Sequence, residues 1–182
     1  MERSALFTDI SVNPQLRLGV GACLILPLQF LDTPPNDMDR DDLSGEVLFQ
    51  RFIDTSSTTL ELQAVLWGLD LYRARTPGQV RGSLRLYTDS QSVTGLPGRR
   101  KRLEGSSYFS GTGCRLANAD LYARFYTAMD ELGFEIVKVK GHAPSGSHDS
   151  VQRIFSVVDR GARKELKLLL AGTAAGPART LA

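Results

Sequence analysis

Four acids, Asp9, Glu61, Asp89 and Asp159, stand where carboxylates can do chemistry rather than only face water. Asp9 closes an apolar run in "ALFTDISV", and Asp89 closes another in "SLRLYTD". Glu61 lies in the first turns of an amphipathic stretch, and Asp159 shares an apolar arc with Phe155, Ala162 and Leu166. Each has an ordinary explanation taken alone. Asp89 could cap a helix, Asp9 could belong to a turn, Glu61 could sit favourably at a helix N-terminus, and Asp159 could reach past a boundary to water. Taken together, acids at the ends of neighbouring strands and on inward helix faces can converge on one patch. Carboxylates so gathered repel and raise one another's pKa unless a divalent cation compensates them. Hard oxygen donors with no Cys/His cluster favour Mg2+ or Mn2+ over zinc.

The elements that must position these acids follow from hydrophobic period and from punctuation by Gly and Pro. Residues 5–12 read as a strand, with a loop at Asn13-Pro14, and "LGVGACLILPLQF" (18–30) reads as a second strand. "LDTPPNDMDRDDLSG" (31–45) has two adjacent prolines and no period, which predicts an exposed loop, and "EVLFQRFID" (46–54) resumes as a third strand. The period then changes. In "TSSTTLELQAVLWGLDLYRAR" (55–75), Leu62, Val65, Leu66 and Leu69 form one stripe, and Leu60, Ala64, Trp67 and Leu71 another nearly opposite. A helix apolar on two sides is packed between layers, and Glu61 projects between the stripes in line with Gly68. A strand at 83–89 and a helix start follow, then a helix at 118–133 closed by Gly133, a strand at 134–142, a loop, and a last helix at 151–170. Strands separated by helices pair in parallel. The reading is an α/β fold with a five-stranded mixed sheet, its first three strands antiparallel and the later ones parallel, and with helices on both faces. Residues 1–170 form one domain, and the small, Gly- and Pro-bearing 171–182 reads as a disordered tail.

With 182 residues, 42% of them hydrophobic and 23% charged, the chain suits one soluble globular domain. No run approaches the ~18 apolar residues of a membrane span, and "MERSALFTDI" lacks the apolar core of a signal peptide. Cys23 and Cys114 have no metal-type spacing and read as reduced thiols of a cytoplasmic protein. The net charge of +2 is unevenly spread: residues 32–46 hold six acids and one base, whereas Arg99–Arg102 is "RRKR".

On these residues the chain resembles the type 1 ribonuclease H family. "LFTDIS" is similar to the family's first-strand motif, "TSSTTLELQAVLWGL" to the helix that carries its glutamate, and "LYTDSQSV" to its strand–helix junction. "VKVKGHAPSG" resembles the Lys-Gly-His segment and "VVDRGARKEL" the last helix, so the likeness runs in order from about Ala5 to Leu170. "TDSQ" and "KGH" are its specific parts. Where the family carries a small pair such as Gly-Ser after the first aspartate, this chain has Ile10-Ser11, and Phe155 stands where a polar residue is often found.

The resemblance implies a ribonuclease H-like fold and an endonuclease that cuts RNA in an RNA–DNA hybrid, leaving 5′-phosphate and 3′-hydroxyl ends. It implies Asp9, Glu61, Asp89 and Asp159 as ligands of two Mg2+ ions, with Mn2+ as a substitute. Asp9 would bridge both ions, Glu61 and Asp89 would hold one, and Asp159 the other. His142, with His148 in the same loop as an alternative, would assist proton transfer or product release. Nucleic-acid contacts are implied for Ser11, for Ser56, Ser57, Thr58 and Thr59 in the turn Thr55–Thr59, and for Arg99, Arg100, Lys101 and Arg102. Short polar groups suit the reading of a 2′-hydroxyl, and a basic run suits phosphate neutralisation. The expected protein is a cytoplasmic monomer with the hybrid as partner and no membrane association. Two other readings stay open: another nuclease of the same fold, and a hybrid-binding module without catalysis.

Overall fold

The computed structural model describes residues 3–78, 80–140 and 149–174. Apolar runs build five strands, the central ones buried continuously because both faces of the sheet are covered: β1 (Ser4–Asn13), β2 (Leu18–Pro27), β3 (Leu48–Phe52), β4 (Leu84–Thr88) and β5 (Glu135–Lys138). They form one sheet in the order β3-β2-β1-β4-β5. The β1–β2 and β2–β3 pairs are antiparallel, and the β1–β4 and β4–β5 pairs are parallel. This is the mixed sheet the hydrophobic pattern predicts. The helices are α1 (Arg40–Glu46), α2 (Ser57–Arg75), α3 (Gln91–Thr94), α4 (Leu96–Gly105), α5 (Ala119–Leu132) and α6 (Ser150–Ala174).

One face of the sheet is covered by α2 and α5 over a core that includes Leu6, Leu66, Leu69, Leu86 and Phe125. The other is covered by α6 and α1 over Phe7, Leu24, Tyr87, Ile154 and Val158, with the Phe7 and Tyr87 rings stacked 4.6 Å apart. Each such side chain taken from water contributes roughly 1.5–3 kcal/mol. The two stripes of α2 thus meet different layers, the sheet on one side and α5 on the other. Contact with the sheet is close because Gly21 in β2 has no side chain. A Cβ there would lie 2.9 Å from the Cβ of Ala64.

Two expectations are corrected. Residues 31–45 are not an exposed loop, since two short 3-10 turns lead into α1. The Asp39 carboxylate accepts the backbone N–H groups of Asp41 and Asp42, and Met38, Leu43 and Val47 are buried against the α6 layer. The acids made this segment look like coil, although one of them is its helix cap. β1 runs through Asp9 to Asn13, in line with the strand expected over 5–12, and sets Asp9 opposite Ala22 of β2. The last helix runs on to Ala174, so four residues assigned to the tail are helical. Residues 175–182 lie outside the described residues.

Candidate active site

β1 outruns its parallel neighbour β4, which stops at Thr88, so Asp89 emerges beside the middle of β1. Asp9, Glu61 and Asp89 consequently line one small cleft, together with Thr8, Thr88 and Ser90. Glu61 reaches it from the second turn of α2. Asp159 arrives from α6 on the other side and shares a hydrogen bond with Asp9. Three of the predicted acids thus line one cleft, and the fourth, Asp159, adjoins Asp9, all from strands and helices remote in sequence.

Electrostatics follows from the crowding. The Asp9 carboxyl is pushed up to about 8, first by burial and further by the charges of Asp89 and Asp159 and the hydrogen bond to Asp159. The backbone N–H of Ile10 opposes this only in part. Asp159 is also held by Arg163 one turn on in α6, at 2.9 Å. Glu61 is held by hydroxyls: Ser90 donates to its Oε2 at 2.7 Å, and Ser92 donates to the same oxygen. Ser90 does two jobs, because its Oγ also accepts the Val93 N–H at 3.1 Å and caps α3. Arg163, Ser90 and Ser92 escaped the sequence reading. The i, i+4 spacing from Asp159 to Arg163 and the serines that follow Asp89 were the available signals.

The other predicted residues are spread around this cleft. Ser11 lies two residues beyond Asp9 in β1, opposite Val20. Ser56 caps α2 by accepting the Thr59 N–H, and Thr59 donates to Asn118 Oδ1 at 3.1 Å, which ties the turn to the start of α5. Ser57 and Thr58 are exposed. The basic run lies in α4 and its members divide. Arg99 donates to the Ser92 carbonyl, and so braces the segment that holds Glu61. Arg100 forms a fork with Asp130, 2.7 Å on each arm, and lies over the Tyr126 ring. Lys101 and Arg102 are exposed. His142 and His148 lie outside the described residues.

The donor chemistry fits a hard divalent cation, for the acids that meet here offer carboxylate oxygens that repel one another. Among the described residues, however, no three His, Cys, Asp or Glu side chains are already drawn into a ligand cluster. Glu61 is turned toward its serines and Asp9 toward Asp159.

No protein-family model matches the chain. No curated protein matches it. Its fold is similar to that of the PFV RNase H domain, at 12% identity and a TM-score of 0.63, over 92% of this chain and 96% of that one. It is similar to the foamy viral protease-reverse transcriptase in complex with dsDNA, at 10% identity and a TM-score of 0.59, over 90% of this chain and 96% of that one. The same viral protein in complex with an RNA/DNA hybrid matches at 8% identity and a TM-score of 0.56; the chain covers only 19% of its length. The fold is ribonuclease H-like.

Proposed function

We propose that this chain is a metal-dependent nuclease that hydrolyses the RNA strand of RNA–DNA hybrids. The observation that carries the reading is the meeting of Asp9, Glu61 and Asp89 at one cleft, with Asp159 bonded to Asp9, in a ribonuclease H-like fold. These four acids would hold two Mg2+ or Mn2+ ions. When bound, the ions supply the positive charge that stabilises a phosphodiester under in-line attack by water. The protein's own groups set up that site. Arg163 fixes the Asp159 carboxylate, Ser90 and Ser92 fix Glu61, and Asp9 surrenders its proton as it becomes a ligand. Ser11 and the hydroxyls of Ser56–Thr59 would read 2′-hydroxyls of the RNA strand, while Lys101 and Arg102 would neutralise phosphates of the DNA strand. In the same reading His142, or His148 in its place, assists proton transfer or product release, and the protein acts as a cytoplasmic monomer. No helix among the described residues is long and apolar enough to cross a membrane.

One observation favours a second reading, a hybrid-binding module without turnover: Glu61 is already satisfied by two serines. Labelled hybrid, duplex RNA and duplex DNA, each with Mg2+ and with chelator, separate the two. The nuclease reading expects the RNA of the hybrid to be cut, with Mg2+ only. Binding of the hybrid without cleavage selects the second reading, and cutting of duplex DNA alone defeats both.

A further inference from the structure

Three arginines gather on the α1–α6 face. Arg40 opens α1, and Arg153 and Arg160 lie two turns apart along one side of α6. Among the described residues none of the three has a carboxylate within ion-pair distance. By contrast Arg51 pairs with Glu165, Arg100 with Asp130 and Glu104, and Arg163 with Asp159. The Nε atoms of Arg40 and Arg153 are covered by neighbouring atoms and meet no acceptor among the described residues. Arg160 finds only the carbonyl of Ser156 at 3.0 Å and its hydroxyl at 3.3 Å. Arg40 and Arg160 line one groove between α1 and α6, which sets their charges close together. A fold gains nothing from like charges held together with unmatched donors, whereas an anion would relieve both faults.

Beside the cluster runs a groove of about 450 Å³ between α1, β3 and α6. Val47, Phe49, Val157 and Leu168 line its apolar part, and Arg40, Arg160 and Lys164 its cationic part. Two acids also face it: Asp41, which is exposed, and Glu165, which is spent on Arg51 at 3.1 Å. Phe49 is 39% exposed and Leu168 56%. The groove is near the carboxylate cleft. Ala22 stands opposite Asp9 on one side and opposite Phe49 on the other, so Phe49 lies two strand spacings, ~10 Å, from Asp9. Asp159, against Asp9, and Gly161, against the Phe49 ring, are two residues apart in α6.

We propose that Arg40, Arg153 and Arg160 form a second phosphate-binding site, which takes the backbone of a single-stranded nucleic-acid segment while a base lies against Phe49. Guanidinium forks match phosphate oxygens better than they match a diffuse charge. A cationic track beside an aromatic face is the arrangement that holds single strands with little regard to sequence. A strand engaged at the carboxylates would pass close to this site. The identity of the strand rests on the nuclease reading; the anion site does not.

The test uses the full chain in chelator, with an uncleavable oligothymidylate, inorganic phosphate and polyglutamate as separate probes. Binding is read by anisotropy across salt concentration and by the NMR signals of the arginine side chains. Substituting Arg40→Gln, Arg153→Gln and Arg160→Gln together should weaken oligothymidylate binding about tenfold or more and flatten its salt slope by ~0.7 for each phosphate left without its arginine. The melting temperature should hold or rise, because repulsion is removed; a purely structural role would lower it. Cleavage of a short flush-ended hybrid should match the wild type. Unchanged affinity and slope in the triple variant overturns the proposal. So does polyglutamate binding as tightly as the oligonucleotide, or arginine signals that answer to inorganic phosphate but not to the strand. Because chelator and DNA are used, failure to cut hybrid would sink the nuclease reading and leave this result standing.

Discussion

A carboxyl buried from water, with two other carboxylates beside it, keeps its proton far above the usual range, and Asp9 is that group. Its pKa is about 8 in the fold against 3.8 in an open chain. Below both values the protonated form is shared by folded and unfolded states. Between them the unfolded chain ionises while the fold retains its proton, so stability falls as pH rises and levels off above about 8. In chelator, Asp9→Asn should therefore melt higher than the wild type, with a gap that opens above about pH 4 and widens toward about pH 8. Equal melting curves across that range would mean that Asp9 is neither buried from water nor crowded by its neighbours. At this scale the sequence revealed the acids through their placement on apolar runs. It did not reveal their keepers, because Ser90 and Ser92 meet Glu61 across 29 and 31 residues of chain, through rotamers that no local pattern encodes.

Elements decide which cations can serve a nucleic acid. "RRKR" reads as one uniform charge run, but winding it into α4 sends its members to different neighbours. Arg100 is committed to Asp130, Glu104 and the face of Tyr126, and it fastens α4 to α5. Lys101 and Arg102 point to solvent. Replacing Arg100 by Gln should lower the melting temperature. Replacing Lys101 and Arg102 by Gln should leave it in place, weaken hybrid binding, and reduce the salt slope by ~0.9 for each phosphate no longer neutralised. Calorimetry and binding titrations on the two variants would show whether the run divides in this way. The same scale explains α1. Its one buried residue, Leu43, with Met38 and Val47 flanking it, is too little apolar signal among acids to announce a helix. Its stability comes from the Asp39 cap and from packing on α6, and only the first of these is local.

The molecule as a whole was legible where patterns are long. Two opposed stripes on α2 required layers on both its sides, and strands alternating with helices required parallel pairing; both are present. The strand offset was legible in part. "ALFTDISV" reads as a strand that continues past Asp9, and β1 does so, whereas its parallel pairing with β4 over Ser4–Phe7 alone joins segments remote in sequence and has no local signal. This offset brings Asp89 alongside Asp9 and lets an acid from each face of the sheet reach them. The claim that the four acids work as one metal-dependent site is tested most directly by hybrid cleavage with Mg2+, comparing the wild type with Asp89→Asn at matched folding. The account predicts that turnover falls by more than the roughly 10–100-fold that loss of an outer-shell partner costs, with the melting curve preserved. Undiminished cleavage by Asp89→Asn would contradict it.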